Sequence, residues 1–300
     1  MAITPTAARP ETASIMPQRE FHFTQEDFDR VRKLIYDHAG ISLAPIKRDM
    51  VYSRLARRLR ALGFATFGQY LAHLEKGDEH EWETFVNSLT TNLTSFFREN
   101  HHFPILTAYL ATLSQRPIRI WCSAASTGEE PYSLAIAACE AFGSVTPPVT
   151  ILATDIDTNV LATGDRGVYP AERVEKVDPE RLHRFFLKGA GKQAGYVRVR
   201  PELRKMITFG RFNLLDAQWP RQEPFDVIFC RNVMIYFDKE TQYQILKKFM
   251  PMLRPEGLFF AGHSESFLHA GDLVRSLGRT VYERADRKGP SRDMRHHHAP

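Results

Sequence analysis

The sequence predicts an α/β protein in which a small all-helical domain precedes a doubly wound, mostly parallel sheet. Two observations carry this prediction. Residues 20–90 show helical periodicity throughout. After Pro117, short and nearly continuous apolar runs alternate with helical segments. Such runs are typical of parallel strands that helices cover on both faces, so we expect the second part of the chain to be the α/β domain.

The composition indicates a folded protein without disulfide bonds. Hydrophobic residues make up 43% and charged residues 25% of the 300 positions, which excludes wholesale disorder. The net charge of +5 favours acidic partners only weakly. Three cysteines, an odd number, favour a reducing compartment, and no apolar run approaches the roughly 20 residues of a membrane helix. We therefore expect a soluble, cytoplasmic protein without membrane insertion.

Four helices are expected in the helical domain. Thr24 and Asp27 have the spacing of a capping-box variant, which predicts that the first helix begins there and runs to His38 before Gly40. Gly63 is expected to end the second helix in the same way. The other boundaries follow from apolar spacing, and the four predicted helices are 24–38, 46–62, 66–75 and 79–88.

The α/β domain is expected to follow a linker and connecting helix at 91–116. Apolar runs predict strands at 118–122, 149–153, 206–209, 225–230 and 258–261. Helical patterns predict helices at 129–142, 157–165 and 239–253. The turn Pro255-Glu-Gly257 is expected to end the last of these helices.

One segment, at about 166–205, interrupts the alternation of strands and helices. A helical stretch at 179–187 precedes a glycine-rich turn and then Tyr196–Arg200, in which two valines alternate with polar or aromatic residues. This pattern predicts a small antiparallel β insertion. The expected units are a flexible tail (1–19), the helical domain (20–90), the linker (91–116), the α/β domain (117–284) and a second flexible tail (285–300).

The loop after the first strand indicates the class of ligand. Its small residues, 123–128, let a ligand approach backbone amides at the carboxyl end of the strand. The glycine patterns of dinucleotide sites and of the Walker loop are both missing from it. Glu129 and Glu130 would repel a phosphate but suit a cationic group, such as the ammonium of an amino-acid moiety. Alternatively, both acids complement the dipole of the helix that they begin.

A further acid follows the second strand. Asp155 is placed to accept hydrogen bonds from both hydroxyls of a ribose. Asp157 competes for this role, although the N-cap of the next helix is the simpler interpretation for one member of the pair. A ribose and an ammonium group without a phosphate together indicate S-adenosylmethionine as the cofactor.

Three longer strings are similar to those of one protein family. They are Thr91–Glu99 (TNLTSFFRE), Ser123–Tyr132 (SAASTGEEPY) and Phe229–Asp238 (FCRNVMIYFD), and Ala261–Glu265 (AGHSE) adds to them. From about residue 21 to about residue 284 the chain thus resembles the chemotaxis receptor methyltransferases, the CheR family. The resemblance implies a class I methyltransferase fold, a Rossmann-like doubly wound sheet, with S-adenosylmethionine as methyl donor and S-adenosylhomocysteine as product.

The resemblance also implies an activity, the O-methylation of glutamate side chains on the cytoplasmic helices of chemoreceptors. The implied cofactor contacts are Asn92, Thr94, Arg98, Glu129, Asp155, Asn213, Leu214, Arg231 and Asn232. The residues implied near the transferred methyl group are Arg98 and Tyr236. Arg98 is alternatively a contact of the cofactor carboxylate alone, and Tyr236 is alternatively an ordinary aromatic residue after a strand.

Methylation of a carboxylate makes modest chemical demands. An ionised glutamate is already a nucleophile, so positioning and desolvation are needed rather than a general base or a metal. We expect no metal site, because no cluster of histidine and acidic residues has a convincing ligand spacing. The competing function is a signalling module that binds S-adenosylmethionine but no longer transfers methyl groups. The presence of Arg98 and Tyr236 argues against it.

Basic residues on the second helix are the expected substrate contacts. Arg54, Arg57 and Arg58 share one helix face, and the resemblance implies that this face meets acidic receptor helices. Alternatively, the face is simply solvated. Nucleic acid is not expected as a partner, because the basic helix lacks interleaved aromatic residues. The loop Lys188–Gly195 resembles the form with which some family members bind a pentapeptide at the receptor C-terminus, and we expect a monomer.

Overall fold

The fold is described from a computed structural model, in residues 19–90, 92–114 and 117–289. Of the predicted flexible tails at 1–19 and 285–300, residues 1–18 and 290–300 lie outside the described residues. Within them, a four-helix domain precedes a seven-stranded sheet with helices on both faces, and a separate three-stranded sheet is inserted. The predicted fold class is therefore confirmed.

The helical domain forms where the apolar spacing predicts it. Its helices are α1 (Gln25–Ala39), α2 (Arg48–Leu62), α3 (Phe67–Leu74) and α4 (Glu79–Leu89). Thr24 and Asp27 form the expected capping box, and Gly40 ends α1 in the left-handed conformation. Leu55 and Phe85 are fully buried in the core to which the four helices contribute.

The elements that follow the helical domain alternate along the chain. The remaining helices of the described residues are α5 (His102–Thr112), α6 (Glu129–Phe142), α7 (Thr158–Arg166), α8 (Pro179–Phe185), α9 (Pro201–Arg204) and α10 (Lys239–Phe249). The strands are β1 (Ile118–Cys122), β2 (Val149–Asp155), β3 (Val168–Pro170), β4 (Phe186–Lys188), β5 (Tyr196–Val199), β6 (Ile207–Arg211), β7 (Phe225–Cys230), β8 (Leu253–Ala261), β9 (Val274–Gly278) and β10 (Val281–Arg284).

The main sheet has the order β6-β2-β1-β7-β8-β10-β9. Its first five strands are parallel, and each of them was predicted. The antiparallel pair β9–β10 was not predicted. Residues of β1 show how helices cover both faces: Ile120 packs in the core that contains α5 and α6, whereas Trp121 packs in the core that contains α10.

The end of the last long helix differs from the prediction. Helix α10 ends at Phe249, a single 3₁₀ turn follows, and β8 begins at Leu253. Pro255 and Gly257 therefore lie within β8 and do not end the helix. The strand continues through them because it pairs with β7 on both sides of an irregularity in the register. The sequence signal for a turn was in fact that of a bulge.

The predicted β insertion is confirmed as a separate antiparallel sheet with the order β3-β5-β4. The predicted helix at 179–187 is shorter, because residues 186–188 pair with β5 as β4. Val197 and Val199 are buried, as their alternation predicts. Phe96 of the linker packs edge-on against Tyr169 and Phe186, each at 5.2 Å between ring centroids. The linker thus joins the insertion to the rest of the molecule.

The helical domain contacts the segment that follows β7. Ser42 donates its backbone N–H to the carbonyl oxygen of Tyr236 at 2.9 Å. The Tyr36 hydroxyl donates to Asp238 at 2.6 Å. At Gly40, an added Cβ would lie 2.1 Å from Cδ1 of Leu215, so glycine is needed for this close approach as well as for its φ of 64°. These contacts place the helical domain over the carboxyl ends of the strands.

Candidate active site

A cavity of about 460 Å³ lies between the two domains, at the carboxyl ends of β1, β2 and β7. Its wall has three parts. The helical domain contributes residues between Ala39 and Met50 together with Leu89 and Thr90, and the linker contributes residues between Asn92 and Arg98. The rest come from the carboxyl ends of the strands, the loops that follow them and the start of α6. A crevice outside the carboxyl ends of parallel strands is where open α/β sheets bind their ligands.

Most of the predicted site residues line this cavity. They are Asn92, Thr94, Arg98, Asp155, Asn213, Leu214, Arg231, Asn232 and Tyr236. They come from the linker and from the loops after β2, β6 and β7, so the fold brings together residues that are far apart in the sequence. These nine residues therefore line one cavity, and the cofactor and catalytic roles assigned to them stay predictions.

Glu129 differs from that expectation. Its side chain is fully buried, pairs with Arg173 at 2.6 Å and accepts a hydrogen bond from the Thr127 hydroxyl at 2.6 Å. Of these two adjacent acids, Glu130 belongs to the cavity wall, as Asp155 does. Successive residues at the start of a helix point about 100° apart, so Glu129 and Glu130 have different surroundings. The sequence motif did not reveal which of them lines the cavity.

Asp155 and Asp157 have separate roles. Asp157 is the N-cap of α7, since one carboxylate oxygen accepts from the backbone N–H groups of Asn159 and Val160. Asp155 lines the cavity, and its carboxylate accepts from the backbone N–H groups of Ser126 at 2.8 Å and Asp157 at 3.0 Å. A carboxylate has about four acceptor positions, so Asp155 has capacity for further donors. Burial raises the pKa of Asp155 to about 6, although these hydrogen bonds oppose the shift.

The linker is fixed to the α/β domain beside these acids. The Asn92 side-chain amide donates to Asp157 at 2.8 Å, and the Ser126 hydroxyl donates to the Asn92 carbonyl oxygen at 3.2 Å. The Arg98 guanidinium donates to the carbonyl oxygen of Leu93 at 2.7 Å. The cavity wall formed by the linker is therefore attached to the α/β domain at Asn92 and is held by an internal contact between Leu93 and Arg98.

Arg231 lies at the centre of a buried charge network. It pairs with Glu130 at 2.9 Å and with Glu99 at 3.2 Å, and it donates to the carbonyl oxygen of Arg98 at 2.6 Å. Burial raises the pKa of Glu130, against the effect of the Arg231 charge. For Glu99, burial acts in the same direction, but Arg231 and the hydrogen bonds from Asn232 and the His263 N–H together lower the pKa. The network joins the linker, α6 and the loop after β7.

Glu265 organises the loop after β7, a role that the sequence analysis did not assign. Its buried carboxylate accepts from the backbone N–H groups of Asn232 at 3.1 Å, Met234 at 2.8 Å and Gly262. Burial raises the pKa of Glu265, and these hydrogen bonds oppose the shift. At Gly262, a Cβ would lie 2.4 Å from Nδ2 of Asn232, so no larger residue fits. An acid after the last parallel strand was visible in the sequence, but its backbone partners were not.

Left-handed backbone conformations concentrate around the cavity. Phe97, Glu99, Ser126 and Asn232 have φ between 48° and 58°, although none is glycine. Two lie in the linker, one in the loop after β1 and one in the loop after β7. Such conformations persist where the surrounding contacts fix them, and they are frequent at functional sites.

The basic face of α2 is not free in the way that the sequence analysis expected. Arg54 donates to the carbonyl oxygens of Thr90 at 2.5 Å and Ser88 at 3.2 Å, at the end of α4. Arg58 pairs with Glu81, which is only 3% exposed. Arg57 remains exposed. Helical spacing places the three arginines on one face, but that face packs partly against α4, so two of them have structural partners.

The described ranges (19–90, 92–114 and 117–289) contain neither a metal-binding cluster nor a membrane-spanning helix. No group of three or more histidine, cysteine or acidic side chains there could bind a metal ion. No helix there is long and apolar enough to span a bilayer.

Comparisons with known proteins agree with the geometry. Residues 26–90 match the family model described as "CheR methyltransferase, all-alpha domain", and residues 92–282 match "CheR methyltransferase, SAM binding domain". The chain is 55% identical over 273 residues to chemotaxis protein methyltransferase 2 of Pseudomonas aeruginosa, which covers 90% of this chain and 97% of that protein. It is 52% identical over 259 residues to the chemotaxis protein methyltransferase of Salmonella typhimurium, which covers 85% and 88%.

Proposed function

Because the chain belongs to the CheR methyltransferase family and is an S-adenosylmethionine-dependent methyltransferase of chemotaxis, we propose that its acceptors are glutamate side chains on the cytoplasmic helices of chemoreceptors. The products would be glutamate methyl esters and S-adenosylhomocysteine, formed in the cytoplasm by a monomer. The observation that carries this proposal is the single cavity into which Asp155, Arg98 and Tyr236 all face.

The chemistry of the cavity wall fits the cofactor. Asp155 has acceptor positions left for two ribose hydroxyls after its two backbone hydrogen bonds. Asn213 and Leu214 follow β6 and would lie beside the adenine. Of the two acids at the start of α6, Glu130 lines the cavity, so we assign the contact with the ammonium group to Glu130 in place of Glu129. The volume of about 460 Å³ is in the range of small-molecule sites.

S-adenosylmethionine supplies a methyl group on a positively charged sulfur. A lone pair of the glutamate carboxylate forms the O–CH₃ bond while the S–CH₃ bond breaks. The electron pair of the broken bond stays on sulfur, which becomes a neutral thioether. The protein has to orient the carboxylate in line and remove water from it. Arg98 and Tyr236 are the candidates for this task, since a cation and a hydroxyl donor can bind one carboxylate together.

Contacts with the receptor beyond the cavity are proposed at two places. Arg57 is the exposed cation of the α2 face, and it would steer acidic helices towards the site. The edge strand β4 and the loop 188–195 would bind a pentapeptide at the receptor C-terminus by strand addition. Neither contact is needed for the chemistry itself.

A labelled-methyl assay tests the proposal against the alternative, an inactive signalling module that binds S-adenosylmethionine. Receptor-enriched membranes are incubated with the chain and methyl-labelled S-adenosylmethionine, and base treatment then releases esters as methanol. We expect volatile label from the wild-type chain and a strong reduction with Arg98→Ala. Tight cofactor binding without volatile label would favour the inactive module. Base-stable label would indicate another acceptor group.

A further inference from the structure

We infer that Ile46, Leu93 and Ile235 form an apolar rim around the mouth of the cavity, and that this rim binds apolar side chains on the same helix as the acceptor glutamate. The inference rests on the proposed function. It adds a specificity determinant, namely that the acceptor is selected by apolar residues one helical turn from it as well as by its charge.

The rim consists of side chains that are exposed although they are large and apolar. Ile46 is 89% exposed, Leu93 75% and Ile235 50%. Single exposed apolar residues are common and need no explanation. These three, however, come from three distant segments, the turn before α2, the linker and the loop after β7, and the fold brings those segments to one opening.

The residues that line the cavity show where the three rim residues lie relative to its opening. Leu93 and Ile235 both line the cavity and are exposed to solvent, so they lie where the cavity opens. Ala44 and Lys47 both line the cavity, and the exposed Ile46 lies between them in the same turn, beside the opening. The rim therefore has one member from each of the three segments that meet at the opening, although Ile46 itself does not line the cavity.

The occupant follows from the chemistry inside the cavity. Methyl transfer to a carboxylate requires water to be removed, so the acceptor's own surroundings must cover the mouth during reaction. Lys47 and Arg98 favour an acidic partner. On a helix, residues three and four positions from the glutamate lie about 5–6 Å from it on the same face, which suits apolar contacts beside a carboxylate in the cavity. An acidic helix with apolar residues at those positions meets both requirements.

Serine substitutions at the rim test this inference. We expect the triple variant I46S/L93S/I235S to lower kcat/KM for a receptor cytoplasmic fragment by about tenfold or more, mainly through KM, since three apolar contacts are lost. Calorimetric affinity for S-adenosylhomocysteine should change less than about twofold, because the rim contacts the helix and not the cofactor. Val145→Ser is the matched control: Val145 is 43% exposed but precedes β2, at the amino ends of the parallel strands and away from the cavity.

Variants of the receptor provide a second test of this inference. Replacing the apolar residues one turn before and after the acceptor glutamate by serine should impair methylation by the wild-type chain but cause little further loss with the triple variant. Equal kcat/KM values for wild-type and triple variant, with methyl ester formed by both, would overturn the rim while leaving the proposed function intact. Absence of any ester with the wild-type chain would instead overturn the proposed function. A wild-type dimer that dissociates in the triple variant would assign the rim to a second copy of this chain, and would also overturn the inference.

Discussion

The backbone N–H of Ser42 donates to the carbonyl oxygen of Tyr236 at 2.9 Å. The helical domain is thereby attached to the same residue whose side chain lines the cavity. A displacement of this domain would move both the wall and the candidate catalytic group. The helical domain is thus a structural part of the active site.

We expect Tyr236→Phe to lower kcat while leaving cofactor affinity nearly unchanged. The substitution removes a hydroxyl donor that would act near the transferred methyl group, and it keeps the ring and the backbone contact with Ser42. Steady-state kinetics and calorimetry measure the two quantities separately. Tyr243→Phe is the control, because Tyr243 lies on α10, does not line the cavity and donates its hydroxyl to Asp272. Parallel losses of kcat and affinity would mean that Tyr236 has a structural role.

Asp155→Ala should weaken cofactor binding by about 1–3 kcal/mol, because hydroxyl partners would be left without an acceptor. Binding should also depend on pH. The pKa of Asp155 is raised to about 6 by burial, so its carboxylate takes up a proton as the pH falls through that value and loses acceptor capacity. Affinity should therefore be higher at pH 7 than at pH 5.

Asp155→Asn separates this effect from other titrations, since an amide does not change charge in this range. We expect the affinity of this variant for S-adenosylhomocysteine to be weak and independent of pH between pH 5 and pH 7. The contribution of Asp155 to folding has the opposite sign. Because the pKa of Asp155 is raised in the folded state, its contribution to the free energy of unfolding decreases as the pH rises through that pKa. A pH-independent affinity of the wild-type chain would exclude Asp155 as the ribose acceptor.

Glu265→Gln should lower the free energy of unfolding by about 1–3 kcal/mol and reduce cofactor affinity. The carboxylate accepts from three backbone N–H groups, and an amide nitrogen in its place would face a donor. One oxygen accepts from both Asn232 and Gly262, so the amide orientation that keeps these two bonds would turn its nitrogen towards the N–H of Met234. Chemical denaturation and calorimetry measure the two effects. Glu240→Gln, an exposed acid on α10, should leave both quantities unchanged.

Arg57 and Arg58 should respond differently to substitution. Arg58→Ala leaves Glu81 buried without its cation and should destabilise the chain by roughly 3 kcal/mol, as when a buried pair loses one partner.

Arg57→Glu should leave the melting temperature nearly unchanged and raise KM for the receptor at low ionic strength, because an exposed cation acts through a screened field. A receptor KM unaffected by Arg57→Glu at any salt concentration would leave the α2 face without a role in binding.

Much of the fold could be predicted because its determinants are local. The capping box at Thr24 and the apolar runs of the five parallel strands depend on neighbouring residues, and both are present. The Pro255–Gly257 segment shows the limit, since pairing with β7 outweighed its turn signal. The β9–β10 hairpin escaped prediction because its turn uses Arg279 and Thr280 at positive φ, where glycine or asparagine would be expected.

The candidate site could be predicted where a short motif places a residue at the end of a strand. It was less predictable where the orientation of a side chain depends on partners that are distant in the sequence. Asp155 follows a strand, and that placement alone directs it to the cavity. The choice between Glu129 and Glu130 depends on Arg173 and Arg231, which lie 44 and more residues away. Helix periodicity likewise could not show that Glu81 lies opposite Arg58.

The shared wall of the cavity couples the thermal unfolding of the two domains. A ligand that binds only the native state adds about 2.7 kcal/mol at a concentration one hundred times its dissociation constant. Because residues from Ala39 to Met50 belong to the binding surface, opening of the helical domain alone would already release the ligand. We therefore expect saturating S-adenosylhomocysteine to protect backbone amides of α1 and α2 from hydrogen exchange. Those helices lie in a domain that contains no part of the sheet.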